Sequence, residues 1–176
     1  MPDPWTIYGI RLRPFSLGHW LLLDRVKSRV ISGGLISPSD LATCLWICSN
    51  KASDLIENFG SGMKLSWRLK AKRIVVGAIL SHATFISRRA LFFAYLEEAC
   101  KPPNHYPIQG EKTKEITAPF VINIMRALMS SGYTRSEALN APMKQARFEH
   151  LAALEEVTRG KLSFVTDSDM ALAEGV

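Results

Sequence analysis

The sequence predicts a mainly α-helical protein, and three observations lead to this fold class: chain length, hydrophobic content and the spacing of apolar residues. A chain of 176 residues can bury about 70% of its unfolded surface without disulfides or metals. Hydrophobic residues make up 47% and charged residues 22% of the chain, which is typical of a globular protein. Apolar residues recur at helical spacing between Pro, Gly and Ser signals. We therefore expect a single compact domain of about five to seven helices, with at most a short two-stranded ribbon near the termini.

The first predicted elements lie in the N-terminal forty residues. Residues 7–12 alternate in part between apolar and polar side chains, which predicts a short strand. Ser16 is a suitable N-cap for a helix that continues to the Ser-Gly-Gly sequence at 32–34. At 37–40, a capping serine, a proline and a following acid predict the start of another helix. That helix is apolar almost all round, so we expect it to be buried.

Two further stretches predict helices before the first strong stop signal. Residues 53–59 predict a short helix that ends at a Gly-Ser-Gly turn. Residues 63–100 form a pattern about three times as long as an average helix, so we expect two helices with a break near 77–84. The sequence Lys-Pro-Pro-Asn at 101–104 ends this pattern.

The chain divides into an N-terminal helical part, a polar connection and a C-terminal helical part, at residues 1–101, 102–116 and 117–176. The connection is polar and interrupted by proline, which favours a loop or linker. We expect the two helical parts to belong to one folded domain.

The C-terminal part predicts a helix, a short capped turn, a last helix and a strand. The first helix follows Pro119 and ends at Gly132, and a capping box begins at Thr134. Pro142 opens the last helix, which runs to a glycine stop at 160. Residues 161–165 predict a short strand, which we pair with the strand at 7–12.

Gly18 and His19 lie in the first turn of the helix that Ser16 begins. Glycine costs a helix about 1 kcal/mol relative to alanine, and the close approach of another backbone would explain its presence. We place the His19 ring at the edge of the core, hydrogen-bonded locally. Both residues are thus interpreted as packing features and not as chemistry.

Cysteine and histidine spacing predicts no catalytic, metal or cofactor site, and we do not expect an enzyme. Cys44 and Cys48 are four residues apart on a helix, but no histidine or second cysteine pair accompanies them. The four histidines are scattered over separate segments, and no glycine-rich phosphate loop is present. We interpret the cysteines as free, buried thiols of a reducing cytoplasm.

No targeting or membrane segment is predicted. The N-terminus carries Asp3 and two prolines where a signal peptide would need a basic region and an apolar core. The longest apolar stretch, residues 74–80, is far shorter than the roughly 20 residues that span a bilayer.

The net charge of +6 is unevenly distributed and supplies the candidate binding residues. Lys64, Arg68 and Lys72 recur at every fourth position, so a helix would place them in one stripe, with Arg73 nearby. Such a stripe contacts phosphate or an acidic partner, or it is the solvated face of an amphipathic helix. Both interpretations remain open. Basic residues prevail in 64–101 and acidic residues in 137–174, which also suits homo-oligomerisation.

Two stretches carry a family resemblance. RLRPFSLGHWLLLDRVKSRVISGG (11–34), followed by SDLATCLWICSN (39–50), resembles the opening of small helical proteins encoded in the tail modules of bacteriophages and prophages. NAPMKQARFEHLAALEEVTRGKLSFVTDSD (140–169) resembles their ending. These proteins are tail assembly chaperones, which keep the tape-measure protein soluble while the tail tube is built around it.

The resemblance implies a non-enzymatic assembly factor in the cytoplasm of a host bacterium, with the tape-measure protein as its partner. It implies no active-site residue. Two alternatives remain open: a structural virion protein of the tail or neck, and a nucleic-acid-binding protein that uses Lys64, Arg68, Lys72 and Arg73.

Overall fold

The computed structural model describes residues 5–60, 82–101, 105–106, 120–157 and 163–164. Over these ranges the fold is mainly helical, as the sequence predicts. Two of the eight helices in the described ranges are very short, with four and six residues, and they bring the number above the expected range. The helices are α1 (Leu17–Arg25), α2 (Arg29–Ser32), α3 (Pro38–Ser49), α4 (Ala52–Gly60), α5 (His82–Cys100), α6 (Phe120–Ser130), α7 (Arg135–Asn140) and α8 (Met143–Val157).

The region predicted as one N-terminal strand is a small hairpin. Strands β1 (Thr6–Ile7) and β2 (Ile10–Arg11) pair antiparallel. Tyr8 and Gly9 connect them with φ angles of 54° and 71°, the left-handed conformation that suits two-residue hairpin turns. Strand β1 therefore pairs with β2, the strand that follows it directly in the chain.

The predicted pairing of the C-terminal strand with this hairpin is wrong. Strand β4 (Ser163–Phe164) pairs antiparallel with β3 (His105–Tyr106), two residues that lie inside the predicted 102–116 linker. The remainder of that linker lies outside the described residues.

Helix starts follow the capping signals in the sequence. The Asp40 N–H donates to Ser37 Oγ at 3.2 Å, and the Ser37 N–H donates to Asp40 Oδ2 at 3.1 Å. Thr134 and Glu137 make the same reciprocal pair at the start of α7. Each pair satisfies backbone donors that the first helical turn leaves free. The predicted capping boxes are thus confirmed.

The helix predicted from Ser16 to residue 32 is interrupted at Lys27. Lys27 adopts a φ of 51°, so α1 ends at Arg25. Ser28 then begins α2 by accepting a hydrogen bond from the Val30 N–H at 3.4 Å. A lysine in the left-handed region is uncommon, and nothing in the residue type predicts it.

One hydrophobic cluster joins the N-terminal and C-terminal helices. Helix α3 is buried, as predicted, and its Cys44 and Cys48 form no disulfide and have no solvent exposure. None of the described helices has the length and hydropathy needed to cross a membrane. The large, fully buried side chains of the cluster include Leu17, Leu22, Leu23, Leu41, Leu45, Phe92, Ile124 and Leu128.

Gly18 lets two other helices approach α1 closely. A β-carbon at this position would lie 2.6 Å from Ala52 Cβ of α4 and 2.8 Å from the Leu139 carbonyl oxygen of α7. Both distances are far shorter than an ordinary contact. The expected close approach of another backbone at Gly18 is confirmed.

Candidate partner-binding cleft

A half-open cleft of about 860 Å³ lies beside the segment that links the hairpin to α1. Its walls come from parts of the chain that are distant in sequence: residues 11–15, the end of α3, the last turns of α5 and the start of α8. Trp5, which precedes the hairpin, completes the lining. We call this feature the cleft.

Hydrogen bonds to the backbone fix the segment that crosses the cleft. The Arg13 N–H donates to the Cys48 carbonyl at 2.9 Å, and the Met143 N–H donates to the Phe15 carbonyl at 2.7 Å. The Tyr95 hydroxyl donates to the Arg13 carbonyl at 2.7 Å. Helices α3, α5 and α8 thus each hold this segment through at least one bond, and the cleft has a defined shape before any partner arrives.

An aromatic cluster lies beneath the cleft, and three of its residues, Trp5, Phe15 and Tyr95, reach the lining. Tyr95 is central, with ring centroids 6.1 Å from Trp5, 6.0 Å from Phe15 and 5.7 Å from Phe92. The Trp5 and Phe15 rings meet it edge to face, a favoured geometry for aromatic pairs. Phe15, Phe92 and Tyr95 are almost completely buried, whereas Trp5 is only half-buried.

The polar groups beneath these rings are held in neutral form. Burial raises the pKa of the Cys48 thiol, the neighbouring Cys44 raises this pKa further, and a hydrogen bond with Tyr95 lowers it. Burial also raises the pKa of the Tyr95 phenol. At neutral pH, Cys48 is therefore a buried thiol and not a thiolate nucleophile.

Charged side chains surround the apolar part. Arg11, Arg13 and Lys144 line the cleft and are exposed, and one carboxylate, Glu98 of α5, lines it as well. Within the described ranges, Lys51 and Asp54 form an ion pair near the start of α4. No ion pair within those ranges involves the three cations of the cleft, so they can attract an anionic partner.

His19 packs behind the cleft and holds its neutral form. The Ser16 N–H donates to Nδ1 at 3.1 Å, so Nδ1 is an acceptor and Nε2 carries the proton that it donates to the Asn50 carbonyl at 2.8 Å. Burial lowers the pKa of His19, the bond to Asn50 raises it, and the positive charge of Arg13 lowers it. The ring stacks on Phe15 at 6.0 Å. His19 is fully buried, so the expectation that it lies at the edge of the core is wrong.

The predicted binding residues, Lys64, Arg68, Lys72 and Arg73, lie outside the described residues. In the ranges that the structure describes, no group of His, Cys, Asp and Glu side chains converges to hold a metal ion.

Sequence reasoning missed the cations of the cleft. The Arg-Leu-Arg-Pro sequence at 11–14 offered a signal for two of them, because residues two apart in extended chain share a side. Lys144 offered none, since only the fold brings the start of α8 beside residues 11–15.

The cleft is where the two stretches that carry the family resemblance meet. Arg11, Arg13 and Phe15 belong to the first stretch, and Met143 and Lys144 belong to the second. Comparison of the chain with protein-family models, with curated proteins and with solved structures finds no match.

Proposed function

We propose that this protein is a non-enzymatic assembly chaperone of a phage or prophage tail, which holds the tape-measure protein soluble in the host cytoplasm. The observation that carries the proposal is the cleft, which combines an apolar lining, exposed cations around it and a backbone held by hydrogen bonds. Its lining draws on both of the stretches that resemble tail assembly chaperones. Surfaces of this kind hold an amphipathic partner segment by burying its apolar side chains.

The expected binding strength suits temporary holding. Burying one Leu or Phe side chain contributes about 1.5–3 kcal/mol, and exposed charge pairs add about 0–1 kcal/mol each. Two apolar side chains and three charge pairs therefore contribute at most about 9 kcal/mol before the cost of association is subtracted, so the complex is no tighter than micromolar. Such a complex dissociates readily, as a chaperone must when the tail tube replaces it.

Filling the cleft tests this proposal. Ala99 lines the cleft, so Ala99→Phe would occupy space that the partner needs. Ala90→Phe is the matched control, because Ala90 is an exposed residue of the same helix and does not line the cleft. We would co-express each variant with the tape-measure protein of the same phage and measure the soluble fraction of the latter.

Wild type and Ala90→Phe are expected to keep the tape-measure protein soluble, and Ala99→Phe is expected to fail while retaining its helical circular dichroism. If the tape-measure protein is equally soluble with and without the wild-type protein, the proposal is wrong. Mass spectrometry of purified virions provides a second test: a chaperone is absent, whereas a tail or neck component is present in fixed copy number.

A further inference from the structure

We infer that the cleft recognises an acidic segment of its protein partner, in which a large apolar side chain is flanked by Asp or Glu residues. The inference rests on the proposed function, because it names the chemistry by which a client would be held. It is carried by the separation of apolar and cationic groups within the cleft.

The apolar requirement follows from the satisfied polar groups of the interior. The Tyr95 hydroxyl already donates a hydrogen bond to the Arg13 carbonyl, and the Phe15 carbonyl already accepts one from the Met143 N–H. A polar group of the partner that entered here would lose its hydration without finding a free bonding partner, which is unfavourable. An aliphatic or aromatic side chain loses nothing on burial, so it is the favoured occupant.

The acidic requirement follows from the charges around that interior. Three cations, Arg11, Arg13 and Lys144, face one carboxylate, Glu98, so the lining carries an excess of positive charge. Arginine presents a planar set of donors that fits a carboxylate. Two of the three cations are arginines, and they belong to the segment that backbone bonds hold in place.

Size and charge favour a peptide over a nucleic acid. A volume of about 860 Å³ lies within the range of about 300–1,000 Å³ that is usual for sites taking small ligands. It accommodates a few side chains and is far too small for a duplex. Glu98 repels a continuous run of phosphates, whereas in a peptide it can accept a backbone N–H.

Fluorescently labelled short peptides of equal length measure this preference by anisotropy. The first probe has Leu and Phe flanked by Glu. The second replaces Glu with Lys, the third replaces Leu and Phe with Ser, and the fourth probe is a single-stranded oligodeoxynucleotide. We expect only the first probe to bind, with an affinity that decreases as salt increases.

Charge reversal identifies the site. We expect the double variant Arg13→Glu with Lys144→Glu to bind the first probe with about tenfold lower affinity, because two attractions become two repulsions at an exposed site. Arg126→Glu with Arg135→Glu is the matched control, since both arginines are exposed and lie away from the cleft. The double variant Arg13→Ala with Lys144→Ala adds no repulsion and is also expected to bind the first probe more weakly than wild type. It replaces the charge-reversed variant if that variant does not fold.

The outcomes separate this inference from the proposed function. Equal binding of the Glu and Lys probes, preferential binding of the oligonucleotide, or equal effects of the cleft and control reversals would each overturn the acidic-segment inference. The tape-measure solubility assay would be unaffected by those results. If instead the acidic probe binds through the cleft and the tape-measure protein remains insoluble, the chaperone proposal fails and the chemistry of the cleft stands.

Discussion

Replacing Gly18 with alanine tests how closely α1, α4 and α7 meet. Alanine is favoured over glycine in a helix by about 1 kcal/mol, so the substitution would stabilise an uncrowded helix. Here, the added methyl group would lie 2.6 Å from Ala52 Cβ and 2.8 Å from the Leu139 carbonyl oxygen. Carbon atoms pack at about 3.5–4.0 Å, so α4 would have to move by roughly 1 Å.

Neither neighbour can yield by rotating a side chain, because one atom is a β-carbon and the other belongs to the backbone. Overpacking costs about 1–3 kcal/mol, and two contacts of this kind place the cost near the upper end. After the gain in helix propensity, we expect Gly18→Ala to lower the free energy of unfolding by about 1–2 kcal/mol. For a domain of this size, Tm would fall by about 2–8 °C.

Urea unfolding followed by far-ultraviolet circular dichroism measures this change. The double variant Gly18→Ala with Ala52→Gly removes the shorter contact, so we expect it to be less destabilised than the sum of the single variants. A Gly18→Ala protein as stable as wild type, or more stable, would refute the close packing of these helices.

Three further measurements address His19, a helix cap and the thiols. The fold lowers the pKa of His19 from its usual 6.5. We therefore expect the free energy of unfolding to keep its full value above about pH 6.5 and to decrease as the pH is lowered further, by at most about 1.4 kcal/mol per pH unit. His19→Gln should flatten that dependence, and an unchanged profile would contradict the neutral tautomer. Ser37→Ala is expected to cost about 1 kcal/mol in urea unfolding, because it removes the cap of α3, and the exposed Ser131→Ala should cost clearly less. Of the three cysteines, Cys100 is expected to react fastest with a thiol reagent in the native protein, since Cys44 and Cys48 are enclosed. Equal reaction rates for all three would contradict this packing.

Helix starts were predictable because their signals are local. The cap formed by Ser37 and Asp40 is contained within four consecutive residues, as is the one formed by Thr134 and Glu137, so no distant contact is needed to form them. The burial of α3 was predictable for a similar reason, since apolar side chains occur all round that helix.

The hairpin, the break at Lys27 and the cleft were not predictable in this way. Tyr8 and Lys27 adopt left-handed backbone conformations although neither is a residue that favours them. The cleft depends on contacts between segments at opposite ends of the chain, which periodicity does not encode. The full burial of His19 is not predictable from the local pattern, because its hydrogen-bond acceptor, the Asn50 carbonyl, lies at the end of another helix.

The bond between Met143 and Phe15 has a consequence for synthesis on the ribosome. The segment that carries Phe15 is made first, and Met143, whose N–H bonds to the Phe15 carbonyl, is made 128 residues later (143 − 15). At about 5–20 residues per second, this interval lasts on the order of ten seconds. Throughout it, the aromatic residues beside Phe15 remain open to other nascent chains. A cellular chaperone that binds nascent chains is therefore expected to associate with this protein until residues 142–146 leave the exit tunnel, and ribosome profiling of such complexes would reveal release at that point.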